Sequence, residues 1–163
     1  MKWYIRKVSI IKNILVTGGA GFLGAHLVNR LIDSYKVIIV DTLKSVGGIS
    51  YVNPQAVLLN YDICDKDSYK ELNKYEFEAI YHLAAQSAGE PSYDDPKYDI
   101  LTNSYGTQLL TKYCFEKGIK RFIHTSTVAI YGDSTGEGFK EDDLISPDSI
   151  YDVSKYSGEL FCC

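Results

Sequence analysis

The sequence predicts an α/β fold built on a doubly wound parallel sheet, and two observations support this prediction. First, short apolar runs alternate along the chain with segments of helical periodicity. Such apolar strands indicate a parallel sheet that helices cover on both faces. Second, the first apolar run leads directly into a glycine-rich stretch, residues 17–24. A strand, a glycine turn and a helix start in this order are typical of a Rossmann-type sheet, for which right-handed crossovers predict strand order 3-2-1-4-5.

Composition and length indicate one folded domain, or part of a larger protein. Of the 163 residues, 45% are hydrophobic and 23% are charged, which is typical of a soluble globular domain. A net charge of −4 without a basic cluster argues against a nucleic-acid partner. No run approaches the ~18 apolar residues that a membrane span requires, so we expect no membrane partner.

The N-terminus and the cysteines bear on location and on metals. Residues 1–11 lack the apolar core and the small-residue cleavage site of a signal peptide, so we expect an N-terminal extension. One dinucleotide-binding domain is then expected over residues 12–163. The four cysteines contain no C-x-x-C pair, which argues against a zinc site and a disulfide framework. We therefore expect no metal, and reduced thiols in a cytoplasmic protein.

Five apolar runs are the predicted strands, and three periodic segments are the predicted helices. The strands cover residues 14–17, 37–40, 57–60, 79–83 and 121–127. The helices cover residues 21–34, 65–74 and 97–117. Residues 132–148 are rich in Gly, Ser and Asp and are predicted to form a loop.

The glycine-rich stretch is predicted to hold a dinucleotide phosphate. One glycine permits a tight turn with positive φ, one lets the backbone approach a pyrophosphate, and one lets the helix pack on the strand. The helix N-terminus adds free N–H groups and a partial positive charge. Because many glycine-rich stretches are only turns, this prediction depends on polar residues elsewhere in the chain.

Carboxylates follow the second and third predicted strands. Asp41 lies 17 residues after Gly24, where a carboxylate can accept both ribose hydroxyls of an adenosine and would repel a 2′-phosphate. This position favours NAD over NADP, although an aspartate can also merely begin a loop. Asp62 belongs either to the N-cap region of the next helix or beside the adenine amino group, and the sequence leaves these alternatives open. His82 ends the fourth strand and is predicted to be a packed residue without a polar partner.

Hydroxyl groups close the fifth predicted strand, and Thr127 is the last of them. Tyr151 and Lys155 follow, four residues apart, and therefore share one face of a helix. An ammonium beside a phenol favours the phenolate and lowers a pKa that is ordinarily about 10. The sequence therefore predicts Tyr151 as an acid/base that Lys155 tunes.

The Tyr-x-x-x-Lys spacing alone is weakly specific, because it occurs at two further places. Tyr93 and Lys97 have Pro96 between them, which argues against one continuous helix. Tyr113 and Lys117 end a predicted helix, where a solvated turn is expected. Tyr151 and Lys155 differ from these two pairs because they follow the hydroxyl-bearing fifth strand.

Together these motifs resemble the extended short-chain dehydrogenase/reductase family, in its nucleotide-sugar epimerase and dehydratase branch, which includes UDP-glucose 4-epimerases. The resemblance implies NAD as the cofactor. It implies cofactor contacts at Gly18, Gly21, Phe22, Leu23, Gly24, Asp41, Asp62, Ile63, Leu83, Ala84, Ala85, Asn103, Tyr151 and Lys155. It implies a catalytic group of Thr127, Tyr151 and Lys155, in which the tyrosine takes a proton from the sugar C4 hydroxyl as hydride passes to NAD.

The resemblance also implies a nucleotide-diphosphate sugar as substrate and allows a homodimer. Dehydratases of this branch carry Asp-Glu directly after the catalytic threonine, whereas this chain has Val128 and Ala129, which favours an epimerase over a 4,6-dehydratase. Members of the family continue further, so the chain is expected to be truncated before the C-terminal substrate-binding portion. Two other functions stay open: an NAD-dependent reductase of the same superfamily, and a catalytically inactive NAD-binding module.

Overall fold

Five parallel strands form the centre of the computed structural model, which describes residues 12–45, 47–133, 136 and 138–162. The predicted N-terminal extension, residues 1–11, lies outside the described residues. The strands are β1 (Asn13–Thr17), β2 (Lys36–Val40), β3 (Val57–Leu59), β4 (Phe77–His82) and β5 (Phe122–His124). Their order in the sheet is β3-β2-β1-β4-β5, which confirms the predicted order.

Helices cover both faces of the sheet. They are α1 (Phe22–Leu31), α2 (Ser68–Leu72), α3 (Gly89–Asp94), α4 (Pro96–Ile100), α5 (Thr107–Glu116) and α6 (Ile150–Leu160). Alternate residues of β1 enter different cores: Leu15 packs with residues of α2 and α5, whereas Val16 packs with Val28 of α1. This two-sided packing confirms the doubly wound α/β fold.

The register of the sheet places the candidate site. Thr17, the last residue of β1, pairs with Val40 at the end of β2 and with His82 at the end of β4. Three strands therefore end at the same level. In open parallel sheets, ligands bind at this carboxyl edge, where the direction of the strand order reverses.

The fifth strand is shorter than predicted. It ends at His124 instead of residue 127, and beyond it the hydroxyl groups of Thr125 and Thr127 also bond to the backbone. Thr125 Oγ1 donates to the carbonyl of His82 at 3.0 Å. Thr127 Oγ1 then accepts from the amide of Ala129 at 3.2 Å and begins a 3₁₀ helix over Val128–Tyr131.

The predicted helix over residues 97–117 is continuous but irregular. It begins at Pro96, is π-helical over Leu101–Gly106 and ends at Glu116. Helix α3 before it was not predicted, and its separation from α4 agrees with the break expected at Pro96. The solvated environment predicted for Tyr113 is wrong, because this side chain is buried and its ring centroid lies 5.5 Å from that of Tyr69.

The remaining predicted elements differ mainly at their ends. Helix α1 ends at Leu31 and α2 is a short helix of five residues, whereas longer helices were predicted in both places. The described residues between 132 and 148 form no helix or strand, as predicted for a loop. Within the described part of the chain, no helix has the length and apolar character to cross a membrane.

Candidate functional site

A cleft of about 870 Å³ opens at the carboxyl ends of β1, β2 and β4. All but two of the residues predicted to bind cofactor or to act in catalysis line it. These lining residues are Gly18, Gly21, Phe22, Leu23, Gly24, Asp41, Asp62, Ile63, Leu83, Ala84, Ala85, Tyr151 and Lys155. The exceptions are Asn103 and Thr127. Residues that are far apart in sequence therefore form one site of a size that holds a cofactor.

The glycine turn leaves no room for side chains at two positions. Gly18 has a φ of +70°, and a Cβ there would lie 2.6 Å from the amide nitrogen of Ala84. At Gly24, in the first turn of α1, a Cβ would lie 2.0 Å from the carbonyl oxygen of Gly18. The backbone of the turn, the start of α1 and the end of β4 are thus in close contact. Because residues 18 and 21–24 also line the cleft, this part of the chain forms a cradle at the helix N-terminus.

Asp41 is held at the end of β2 by backbone donors. Its Oδ2 accepts from the amide of Ala20 at 2.9 Å, and its Oδ1 accepts from the amide of Leu43 at 2.7 Å. Leu43 has a φ of 60°, an uncommon conformation for leucine. Each carboxylate oxygen retains a further lone pair, so the fixed Asp41 side chain can still accept hydrogen bonds from a ligand in the cleft.

Asp62 lines the cleft beyond β3, next to Ile63. Its Oδ1 accepts from the amide of Cys64 at 2.9 Å in a local turn. Because α2 begins at Ser68 with Asp67 as its N-cap residue, the helix-cap alternative for Asp62 is wrong. Contact of this carboxylate with an adenine remains a prediction.

Helix α6 carries Tyr151 and Lys155 into the cleft. A capping box fixes its first turn: Ser149 Oγ accepts from the amide of Asp152 at 3.1 Å, and Asp152 Oδ2 accepts from the amide of Ser149 at 3.2 Å. Lys155 is 3% exposed, and its Nζ donates to the carbonyl of Thr125 at 2.6 Å. Burial lowers the pKa of Lys155 to about 8.

The prediction that Lys155 lowers the pKa of Tyr151 is wrong in this structure. Burial raises the Tyr151 pKa above its ordinary value, and the hydroxyl of Thr127 opposes that rise. The ammonium of Lys155 is instead directed to the carbonyl of Thr125. Burial therefore favours the protonated form of Tyr151 in this structure, next to the hydroxyl of Thr127.

Thr127 lies in a second, smaller cleft that adjoins α6. This cleft measures about 330 Å³, and Tyr131 and Phe139 line part of it with rings stacked at a centroid distance of 5.2 Å. The hydroxyl of Thr127 is close enough to Tyr151 to affect its pKa. Thr127 and Tyr151 thus connect the two clefts.

Asn103 lies behind the wall of the large cleft, in the π-helical segment. It is buried, and its Oδ1 accepts from the amide of Gln86 at 2.9 Å. Its Nδ2 lies 3.1 Å from the carbonyl of Gln86 and donates to Ser154 Oγ at 3.0 Å. Asn103 therefore connects the loop after β4 to α6, and a direct contact with cofactor remains a prediction.

Comparison with known proteins decides the family. The model of the NAD dependent epimerase/dehydratase family matches residues 14–163. The chain belongs to this family. This result confirms the resemblance that the motifs indicated.

Family members of known structure share the fold. The UDP-glucose 4-epimerase of Thermotoga maritima, solved with UDP-glucose, is 37% identical with a TM-score of 0.85, and the match covers 91% of the chain and 49% of that protein. The Thermus thermophilus UDP-glucose 4-epimerase, in complex with NAD, is 31% identical with a TM-score of 0.85 and the same coverage of 91% and 49%. The dTDP-D-glucose 4,6-dehydratase of Mus musculus is 32% identical over 94% of the chain and 46% of its own length. The chain spans about half the length of these relatives.

His82 has two polar partners in this family member, although none was predicted. Its Nδ1 lies 2.7 Å from Thr17 Oγ1, and its Nε2 lies 2.8 Å from Thr107 Oγ1. Because the Thr107 hydroxyl donates to the carbonyl of Asn103, Nε2 must donate to Thr107 and Nδ1 must accept from Thr17. Burial holds the His82 pKa well below its usual value, so the ring is neutral. The prediction of a packed residue is confirmed.

Three buried residues around the site were not predicted. They are Gln86, Ser154 and Asp99, and each is within hydrogen-bonding distance of Asn103. The contact between Asp99 and Asn103 had a signal in the sequence, because the two residues lie four apart in one helical segment. The contact with Ser154 spans 51 residues and had no local signal. Among the described residues, no cluster of His, Cys, Asp and Glu side chains could hold a metal ion.

Proposed function

We propose that the chain binds NAD in the large cleft and forms the cofactor-binding part of a nucleotide-sugar 4-epimerase. One observation carries the proposal: the glycine turn, Asp41 and the Tyr151–Lys155 pair line a single continuous cleft. The glycine turn and Asp41 lie at one side of the carboxyl edge of the sheet, and Tyr151 and Lys155 lie beyond β4. This arrangement suits an extended dinucleotide with its reactive ring beside the pair.

The residues of the cleft fit the parts of NAD. The backbone of the glycine turn, which packs too closely at Gly18 and Gly24 to admit any Cβ, suits a pyrophosphate against the start of α1. Asp41 would hold the adenosine ribose, and Lys155 would donate to the ribose of the nicotinamide. The other contacts would come from Phe22 and Leu23 at the pyrophosphate, Asp62 and Ile63 at the adenine, and Leu83, Ala84 and Ala85 along the centre.

Tyr151 and Thr127 supply the proton chemistry in this proposal. Bound NAD would supply the acceptor for a hydride from the sugar C4 carbon and would return that hydride to the other face. In its phenolate form, Tyr151 would take the proton of the C4 hydroxyl and, as the resulting phenol, would later return it. Thr127 would donate a hydrogen bond to the same sugar oxygen, which fits its position beside the phenol.

The 4,6-dehydratase alternative is less favoured than the epimerase. Loss of water needs acid and base groups that this chain lacks after Thr127, where Val128 and Ala129 stand.

We further propose a cytoplasmic protein of carbohydrate metabolism that forms a homodimer. Apolar side chains at Ile100 and Val153, which are 49% and 53% exposed, support a partner surface along α4 and α6.

An assay with UDP-glucose tests the proposal. The assay uses this chain. Where the reading frame continues past residue 163, it also uses the longer protein that the frame encodes. We expect UDP-glucose to be converted to its C4 epimer without net formation of NADH, as followed by NMR and by nicotinamide absorbance. Steady accumulation of NADH would favour the reductase alternative, and a 4-keto-6-deoxy sugar would favour the dehydratase. NAD binding without any product would favour the inactive binding module.

A further inference from the structure

Asp99 is a fully buried carboxyl group that the proposed NAD contacts do not use. It lies in α4 with 0% of its surface exposed. Its Oδ2 lies 3.3 Å from Asn103 Nδ2, and its Oδ1 has no hydrogen-bond partner among the described residues. A buried carboxyl with an unpaired oxygen lowers stability unless a charge nearby compensates.

The hydrogen bonds of Asp99 lead to the helix that carries the catalytic pair. Asn103 Nδ2, which faces Asp99, also donates to Ser154 Oγ at 3.0 Å. Ser104 Oγ donates to the carbonyl of Ser154 at 3.1 Å, so the π-helical segment holds the backbone of α6 directly before Lys155. Asp99 therefore lies at the base of a network that fixes the position of Lys155.

The charge of Asp99 acts on the same lysine. Lys155 is buried, which lowers its pKa to about 8, and the nearby carboxylate of Asp99 is the largest influence that opposes this fall. Reciprocally, burial raises the pKa of Asp99, and the Ser154 hydroxyl and the Lys155 charge oppose that rise. Without Asp99, the ammonium of Lys155 would lose its main counter-charge in the cleft wall.

Other titratable groups also face this pair. From α6, the carboxylate of Asp152 raises the pKa of Asp99, and Cys162 after the helix raises that of Lys155. From β4 and β5, His82 and His124 are held neutral by burial and by the Lys155 charge. The same Asp99 charge raises the pKa of Tyr151. Asp99 and Asp152 are both buried, but of these two carboxylates it is Asp99 whose charge raises the pKa of Lys155.

We infer that Asp99 is a positioning residue, which supplies the counter-charge that keeps Lys155 protonated in the wall of the cleft. This inference rests on the proposed function, because Lys155 would hold the nicotinamide ribose only as an ammonium donor in the correct place. Asp99 does not touch the cofactor or the sugar in this account. It acts through Lys155 and, by way of Asn103, through Ser154.

The test measures the titration of Lys155 directly. The Cε signal of Lys155 is followed by NMR from pH 6 to 11 in protein that carries ¹³C-labelled lysine. The signal is assigned by its absence from the spectrum of Lys155→Met. In Asp99→Asn, which keeps the shape of the side chain, we expect the Lys155 midpoint to fall by roughly one pH unit. Asp33→Asn, an exposed position, gives the same change of net charge and should leave the midpoint unchanged.

A reciprocal measurement covers the case in which Asp99→Asn does not fold. In Lys155→Met, the Asp99 carboxyl should titrate at higher pH than in the wild-type chain. An unchanged Lys155 midpoint in folded Asp99→Asn, or an unchanged Asp99 midpoint in Lys155→Met, would overturn the inference. If the wild-type chain binds NAD in that case, the proposed function still stands. If the wild-type chain does not bind NAD but the midpoints move as expected, the charge pairing is supported and the proposed function is overturned.

Discussion

Gly24→Ala is expected to weaken NAD binding by roughly 100-fold. The added Cβ would lie 2.0 Å from the carbonyl oxygen of Gly18 and 2.7 Å from Gly19 Cα, and neither backbone atom can rotate away. The start of α1 must therefore move from the turn, and its N–H groups lose their common direction. Loss of two hydrogen bonds to a charged phosphate corresponds to roughly a 100-fold weaker affinity. Overpacking should also lower the free energy of unfolding by about 1–3 kcal/mol.

Gly89→Ala is the matched control for this substitution. A Cβ at Gly89 meets no atom within 4 Å, and the residue begins α3 outside the lining of the cleft. We expect wild-type NAD affinity and unchanged or slightly higher stability in this variant. Calorimetric titration with NAD and chemical unfolding measure both quantities. Wild-type affinity in folded Gly24→Ala would contradict the cradle assigned to the glycine turn.

Tyr151→Phe is expected to reduce epimerisation by roughly 100- to 10,000-fold, the range in which a general acid/base contributes. In the proposed reaction the phenolate oxygen of Tyr151 accepts the sugar proton and the phenol returns it, and phenylalanine retains the ring without this oxygen. Because phenylalanine fills the space of the tyrosine ring, packing should change little. NAD affinity should therefore stay within a few-fold of the wild-type value, while turnover of UDP-glucose is lost.

Tyr93→Phe provides the control that the sequence itself offers. Tyr93 also lies four residues before a lysine, but it is 62% exposed and outside the cleft lining. We expect unchanged turnover and unchanged NAD affinity in this variant. Equal loss of turnover in the two variants, or full turnover in Tyr151→Phe, would contradict the role given to Tyr151.

Local patterns were sufficient for much of the fold and for the lining of the cleft. The glycine turn could be predicted because its close contacts are simple: Gly24 packs against Gly18 within the turn, and Gly18 packs against Ala84 just after β4. Asp41 could be predicted because it follows an apolar strand directly. Strand order followed from right-handed crossovers, which need no knowledge of side-chain contacts.

Long-range packing explains what local patterns did not predict. Three Tyr-x-x-x-Lys pairs looked alike, and only tertiary structure separates exposed Tyr93 and core-packed Tyr113 from Tyr151 in the cleft. The raised pKa of Tyr151 depends on burial by residues distant in sequence. Likewise, the network of Asp99 exists because α4 and the π-helical segment pack against α6.

Titration of the wild-type chain with NAD and with NADP measures whether an adenosine ribose lies beside Asp41, as proposed. The fixed carboxylate would repel a 2′-phosphate, so we expect NAD to bind more tightly than NADP by roughly tenfold or more. Asp41→Asn should keep the shape of the site and narrow this difference. Equal or tighter binding of NADP by the wild-type chain, or no binding of NAD, would contradict the account.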